Sequence, residues 1–174
     1  MQSPNKALEK RYQQTETFLK KVFPPPGRIL DLGVVNPFSE IMTRSGYEVM
    51  NTQGEDLDIE YTRVSEYEAD LVTAFEILEH LVSPFNVLSA IKAKKLIVTV
   101  PLRLWFAKAY RNPSDPWDRH FHEFEDWQLD WLLEKSGWTV LEREKWIAPS
   151  SQLGIRPILR NITPRYYAVY ARRM

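Results

Sequence analysis

The chain has 174 residues, of which 44% are hydrophobic, and its 23 basic and 23 acidic side chains leave a formal net charge of +0 at pH 7. This composition supports a sizeable core and shows no basic excess, so we expect one domain over residues 1–174 and no nucleic-acid partner. The absence of cysteine excludes disulfides and cysteine-bound zinc, and because three histidines leave little for a metal site, we expect none.

The amino-terminal segment is predicted to be a helix. Residues 2–10 are polar and lack the apolar stretch of a secretory signal. No run of the chain is apolar enough to cross a membrane, so we expect a cytoplasmic protein. Over residues 6–23, apolar side chains recur at helical spacing with charges between them, which predicts an amphipathic helix within residues 1–24.

A tight turn between a strand and a helix is predicted next. Residues 28–33 form an apolar run around Asp31 that predicts a buried strand ending at Gly33. A helix is predicted to begin near Pro37, where the missing N–H of proline costs no hydrogen bond. A carboxylate at a strand tip, beside such a turn, is how α/β folds hold charged parts of a nucleoside ligand.

Strands and helices alternate up to residue 100. Residues 47–51, 70–75 and 95–100 are predicted strands, and Pro84 is expected to open a helix. A brief strand is also predicted at residues 56–59. This alternation favours a parallel sheet that is covered by helices on both faces.

The last third of the chain begins with a long connection, residues 101–124, of a length typical of binding loops. A helix is then predicted at residues 125–136, followed by strands at residues 138–146 and 164–172. Because only a loop is predicted between these two strands, we expect them to form an antiparallel hairpin at one edge of the sheet.

All six tryptophans lie between Trp105 and Trp146. Trp127 and Trp131 are four residues apart on the predicted helix, so we expect both in the core. Trp105 and Trp117 lie in the long connection instead, where their aromatic rings suit the wall of a substrate pocket. The sequence therefore assigns different roles to the two pairs.

The three histidines are predicted to meet at one edge of the sheet. A ligand site in a parallel sheet lies beyond the carboxyl ends of the strands. His80 follows the predicted strand at residues 70–75, and His120 and His122 lie in the connection after the next strand. A lone histidine is more often a packed or surface residue than a ligand, but three at one edge leave a packed role and a functional site equally open.

Four segments carry a family resemblance, in the family's order, over roughly residues 28–140. They are Ile29-Leu30-Asp31-Leu32-Gly33, the stretch at 70–81 that contains Glu76, Glu79 and His80, the stretch at 96–101, and His122-Glu123-Phe124. They resemble the class I S-adenosylmethionine-dependent methyltransferases, in particular the short type 11 and type 23 branch with a Glu-x-x-Glu-His motif. The resemblance implies a Rossmann-like, doubly wound, mostly parallel sheet with a carboxyl-terminal antiparallel hairpin, abbreviated between strands two and four of the family.

The resemblance also implies S-adenosylmethionine as cofactor and methyl transfer to a small-molecule or sugar-like acceptor. The implied cofactor-binding residues are Asp31, Gly33, Val35, Asn51, Asp56, Ala74, Phe75 and Glu76. The implied catalytic residues are Glu79, His80 and His122, with either histidine as the base for an in-line transfer. Two interpretations of Glu79 and His80 remain open: they hold the loop that follows, or they contact the substrate.

Departures from the family pattern leave a second function open. Val35 and Pro37 stand where the first motif usually carries glycine, which permits backbone angles that these residues resist. Asn51 stands where the family has an acidic residue for the ribose hydroxyls, with Asp56 as a second candidate. The alternative to an enzyme is therefore a catalytically inactive binding or scaffolding module with the methyltransferase fold.

Overall fold

The computed structural model describes residues 6–148 and 154–174. The described residues form five α-helices and six strands. The helices are α1 (Lys6–Val22), α2 (Pro37–Arg44), α3 (Pro84–Ala90), α4 (Asp126–Lys135) and α5 (Ile155–Ile162). The strands are β1 (Arg28–Asp31), β2 (Glu48–Asn51), β3 (Leu71–Phe75), β4 (Lys95–Pro101), β5 (Thr139–Trp146) and β6 (Tyr166–Arg172).

All six strands belong to one sheet, in the order β2-β1-β3-β4-β6-β5. The first four strands along the chain are parallel, whereas β6 runs antiparallel to both β4 and β5. A short 3-10 helix at Tyr61–Glu66 takes the place of a helix and strand between β2 and β3. The predicted fold class is confirmed, including the hairpin and the abbreviation.

The two faces of the sheet carry separate hydrophobic clusters. Successive strand residues point to opposite faces, so Leu30 packs with α3 and α4, whereas its neighbour Ile29 packs with α1 and α2. The helices contribute apolar residues four apart, such as Leu129 and Leu133 of α4, both fully buried. Each such side chain contributes about 1.5–3 kcal/mol on burial. The sheet is therefore a rigid base for the loops at its edge.

Three local predictions are wrong. Residues 56–59 form a turn, because the N–H groups of Ile59 and Glu60 bond back to the carbonyl of Asp56. Helix α5 lies between β5 and β6, where a loop was predicted. Trp127 and Trp131 are 45% and 64% exposed, and their rings pack on each other with centroids 4.7 Å apart.

The error over the two tryptophans has a simple cause. Helix α4 carries two stripes of residues spaced four apart, and the stripe that contains Leu129 and Leu133 faces the sheet. Spacing alone does not tell which stripe is buried. Among the described residues, no helix combines the length and the apolar character that a bilayer crossing requires.

The parallel strands place their carboxyl ends at one edge of the sheet, where Asp31 lies in register with Asn51 and Thr73. The long connection after β4 is closed at its base, since the N–H of Arg103 bonds to the carbonyl of Phe124 at 2.8 Å. The loops between these points surround a single region of the surface.

Candidate functional site

A cavity of about 1050 Å³ opens at the carboxyl ends of the parallel strands. Six segments line it: α1, the turn after β1, the segment after β2, the turn after β3, β4 through Thr99, and the long connection. Its lining includes Arg11, Tyr12, Thr15, Asp31, Gly33, Val34, Asp56, Asp58, Ile59, Phe75, Glu76, His80, Trp117 and Phe121. Apolar side chains and carboxylates alternate around it, as in a site for a ligand with both ring and polar parts.

The carboxylate of Asp31 holds the turn after β1 together. Asp31 is 2% exposed, and its Oδ1 accepts a hydrogen bond from the hydroxyl of Thr73 at 2.7 Å. Its Oδ2 accepts from the hydroxyl of Ser39 at 3.1 Å and the amide of Asn51 at 3.2 Å, with Asn36 at 3.4 Å. Burial raises the pKa of Asp31, and the hydrogen bond from Thr73 is the chief opposing effect.

Asn51 turns toward this network and does not line the cavity. Its Nδ2 lies 3.1 Å from the carbonyl oxygen of Gly33, while the hydroxyl of Thr52 accepts the N–H of Gly33 at 2.7 Å. Gly33 has φ +104°, and a Cβ there would lie 3.3 Å from Ile77 Cδ1. The last residue of β2 and the residue that follows it thus fix a turn that requires glycine at position 33.

The turn does not need the other two glycines. Val35 is 70% exposed and its φ is not positive, so its backbone is one that valine adopts freely. The side chain of Asn36 caps α2 by accepting the N–H of Ser39 at 3.2 Å, and the hydroxyl of Ser39 accepts the N–H of Asn36 at 3.3 Å. Pro37 is the first residue of the helix, as predicted. The Asn36 cap therefore stabilises this turn without glycine at positions 35 and 37.

Glu76 lies at the end of β3 in a strained conformation. Its φ is 55°, a value that residues with a side chain rarely adopt outside functional sites. Its Oε2 accepts a hydrogen bond from Arg11 Nη1 at 3.2 Å, whereas its buried Oε1 makes no hydrogen bond to the described residues. Burial raises the pKa of Glu76, and the charge of Arg11 opposes the rise. A cation and an unpaired acceptor therefore line one cavity.

Glu79 lies in the short 3-10 helix at Leu78–His80 and is 1% exposed. Its carbonyl oxygen accepts the N–H groups of Phe121 at 2.8 Å and His122 at 3.2 Å, which fastens the long connection to this turn. Burial first, and the negative charge of Glu76 second, raise the pKa of Glu79 well above its usual value.

The three histidines lie around this junction. Nδ1 of His80 is 3.1 Å from the carbonyl oxygen of Arg119, and Nε2 of His122 is 3.3 Å from that of Val82. The rings of His80 and His120 are in contact, with centroids 4.8 Å apart. Burial, followed by the charge of His80, lowers the pKa of His120.

The structure divides the aromatic residues of the long connection. Trp117 and Trp105 are equally exposed, at 72% and 73%, but only Trp117 lines the cavity. Tyr110 packs on His120, with ring centroids 4.5 Å apart, and its hydroxyl donates to Asp118. The tip of the connection is thus ordered by its own polar contacts.

Six of the sequence-predicted site residues line the cavity: Asp31, Gly33, Asp56, Phe75, Glu76 and His80. The others lie outside its lining: Val35, Asn51, Ala74, Glu79 and His122. The sequence analysis missed Arg11. In the sequence, Arg11 is one of many charges on an amphipathic helix, and nothing links it to a glutamate 65 positions away.

No protein-family model and no curated protein matches the chain. Among solved structures, Burkholderia thailandensis 1,6-didemethyltoxoflavin-N1-methyltransferase, with bound 1,6-didemethyltoxoflavin and S-adenosylhomocysteine, superposes with a TM-score of 0.65. It is 16% identical, and the match covers 94% of this chain and 78% of that chain.

Two further structures match over nearly the full length of both partners. One is a SAM-dependent methyltransferase from Archaeoglobus fulgidus, with a TM-score of 0.58, 17% identity and coverage of 93% and 94%. The other is the N-methyltransferase NodS from Bradyrhizobium japonicum, with a TM-score of 0.57, 12% identity and coverage of 98% and 98%. At these identities the likeness establishes the fold, and the resemblance drawn from the sequence is confirmed at that level.

Proposed function

We propose that the cavity binds S-adenosylmethionine and that the protein transfers its methyl group to a small-molecule or sugar-like acceptor. The observation that carries this proposal is the pairing of Arg11 with Oε2 of Glu76, whose other oxygen, Oε1, makes no hydrogen bond to the described residues, inside a cavity of this fold. A site for a zwitterion needs a cation for its carboxylate and an acceptor for its ammonium group. We also propose a cytoplasmic location, with which the lack of cysteine agrees.

The amino-acid end of the cofactor fits between α1 and the turn after β3. The guanidinium of Arg11 would hold the methionine carboxylate by a charge-assisted hydrogen bond. Oε1 of Glu76 and the carbonyl oxygen of Gly33 accept from the ammonium group. Asp31 acts indirectly, by holding the turn, because its two oxygens already accept hydrogen bonds from neighbouring side chains.

The nucleoside end fits against the segment after β2. Glu55 and Asp56 line the cavity and supply carboxylates for the ribose hydroxyls in place of the missing acid on β2. Val34 and Ile59 also line the cavity, and they are 57% and 76% exposed. A flat adenine ring would therefore cover apolar surface that is otherwise in contact with water. The volume is ample for such a ligand.

The acceptor is proposed to enter beside the long connection, where Trp117 and Phe121 offer aromatic surface. The Burkholderia thailandensis structure contains a small molecule together with S-adenosylhomocysteine on the same fold. The methyl group of a sulfonium is already activated, so alignment of the acceptor supplies most of the catalysis. His80 lines the cavity and is the better placed of the two candidate bases.

The inactive alternative loses its main support. It depends on Val35, Pro37 and the missing acid on β2, and the turn accommodates the first two without strain because Asn36 caps the following helix. An unstrained turn favours the enzyme over the scaffold.

Calorimetric titration with S-adenosylhomocysteine tests the proposal through two neighbouring valines. Val34→Trp fills the cavity, whereas Val35→Trp adds the same ring at an exposed position outside its lining. We expect wild type and Val35→Trp to bind with a Kd on the order of 1 μM, about −8 kcal/mol. Val34→Trp is expected to bind at least about tenfold more weakly, a loss of about 1.4 kcal/mol.

Absence of heat with wild type at millimolar ligand would contradict the proposal. An equal change of affinity in Val34→Trp and Val35→Trp would mean that the ligand binds somewhere other than this cavity. The melting temperature of each variant, measured without ligand, shows that the comparison is made between folded proteins.

A further inference from the structure

One cluster of side chains joins the candidate base His80 to Glu79 and His120, and methyl transfer alone does not require this combination of three metal-coordinating groups. Glu79, His80 and His120 each offer one atom that can coordinate a metal ion, and these atoms all lie within 4.8 Å of one another. Glu79 Oε1 is 3.8 Å from His80 Nε2. The cluster joins the turn after β3 to the long connection, two segments 40 residues apart in the sequence.

One oxygen of the buried Glu79 carboxylate has no partner among the described residues. The side chain is 1% exposed, and its Oε2 makes no hydrogen bond to the described residues. A buried carboxylate without a donor is costly, and such groups in native proteins almost always have a partner or a ligand. This oxygen is the second observation, independent of the clustering, that points to a bound species.

The hydrogen bond of His80 fixes which of its nitrogens is free. Its Nδ1 lies 3.1 Å from the carbonyl oxygen of Arg119, and a carbonyl oxygen only accepts, so Nδ1 carries the hydrogen. In the neutral ring, Nε2 then presents a lone pair on the side of Glu79. Metal-binding histidines are oriented in this way, with one nitrogen donating to a carbonyl and the other bound to the ion.

We propose that Glu79, His80 and His120 bind one divalent cation of the zinc and cobalt type. Two imidazoles and one carboxylate form a donor set that favours zinc-type ions, whereas Mg²⁺ and Ca²⁺ favour oxygen ligands. Around a tetrahedral ion with bonds of about 2.1 Å the ligand atoms lie about 3.4 Å apart, so a small inward shift of the connection completes the site. This differs from the expectation of no metal drawn from the low histidine count.

Three protein ligands leave a coordination position open, as in catalytic rather than structural zinc sites. His80 lines the cavity, so the ion borders the region where the acceptor is proposed to lie. While the ion is bound, Nε2 of His80 is a ligand, and His80 does not act as the base. The proposed metal site does not depend on whether the cavity binds S-adenosylmethionine.

The experiment uses the full chain after treatment with a chelator, titrated with Co²⁺ and followed by visible absorption, with Zn²⁺ as the competitor. We expect one equivalent of Co²⁺ per chain, displaced by one equivalent of Zn²⁺. His120→Ala removes a ligand on the connection, and His122→Ala is the matched control, since the Nε2 of His122 faces the carbonyl of Val82 instead. His120→Ala is expected to bind at least about tenfold more weakly, whereas His122→Ala keeps the wild-type affinity and spectrum.

Glu79→Gln keeps the shape of the side chain and serves as the second variant, with the same expected loss of metal affinity. Failure of wild type to bind Co²⁺ or Zn²⁺ in a 1:1 ratio would overturn the proposal. So would an equal loss in His120→Ala and His122→Ala, or full binding by His120→Ala. The same samples are titrated with S-adenosylhomocysteine, so failure of the metal site and failure of the cofactor site are seen separately.

Discussion

The turn after β1 and the turn after β3 lie at the same edge of the sheet but use their carboxylates in opposite ways. In the first turn, four side chains place donors within 3.4 Å of Asp31. In the second, Glu76 and Glu79 each keep one buried oxygen without a hydrogen bond to the described residues. In the first turn the carboxylate oxygens are hydrogen-bonded to neighbouring side chains, whereas in the second turn two carboxylate oxygens are still available for a ligand.

Within a single cavity, one carboxylate therefore stabilises a loop, and others are available for function. A carboxylate whose partners are all internal holds a loop in place, and its loss leaves those partners unsatisfied. A carboxylate that lacks partners costs stability and is retained where a ligand completes it.

The largest expected effect is that of Asp31→Ala. The substitution leaves the buried hydroxyls of Thr73 and Ser39 without their acceptor, and we expect a loss of about 3 kcal/mol in the free energy of unfolding. The matched change in the other turn, Glu79→Gln, is expected to cost less than about 1 kcal/mol, because it removes only a poorly solvated acid. Urea unfolding of both variants measures the two values. A cost for Glu79→Gln that equals that of Asp31→Ala would erase the distinction between the turns.

Arg11→Met is expected to have the next largest effect. It removes the cation beside Glu76 and leaves a buried charge, at a cost of about 2 kcal/mol, reduced here because both side chains retain some exposure. The double variant Arg11→Met/Glu76→Gln is expected to regain most of that stability while still binding S-adenosylhomocysteine weakly. A double-mutant cycle by urea unfolding and calorimetry measures both. Restored binding in the double variant would show that Arg11 serves only to neutralise Glu76.

The raised pKa of Asp31 predicts a smaller, pH-dependent effect. Its folded-state pKa lies above the unfolded value, so between the two the folded chain binds more protons than the unfolded chain. The stability of wild type relative to Asp31→Asn should therefore be greatest below the unfolded pKa and fall as the pH rises through the folded pKa. Melting temperatures of both proteins across the acidic range measure the difference. A relative stability that rises with pH would mean that the hydrogen bonds outweigh burial.

The sequence predicted the fold well because the fold depends on local patterns. Apolar runs such as residues 70–75, and Pro37 at a helix start, determine their elements without reference to distant residues. Arg11 and Glu76 meet across 65 positions, and Glu79 and His120 across 41, so their pairing follows from tertiary packing. The orientation of Asn51 also depends on tertiary packing, because its side-chain amide donates to oxygens of Asp31, Gly33 and Ser39.

The smallest expected effect concerns the two exposed tryptophans of the connection. Trp117→Phe and Trp105→Phe should each change the free energy of unfolding by less than about 0.5 kcal/mol, because both side chains are more than two thirds exposed. Only Trp117 lines the cavity, so only its removal should abolish part of the fluorescence change produced by S-adenosylhomocysteine. Equal responses of the two variants would mean that the ligand does not reach the connection. A response confined to Trp117→Phe would extend the contrast between the turns to the connection, which would then contact the ligand while contributing little to stability.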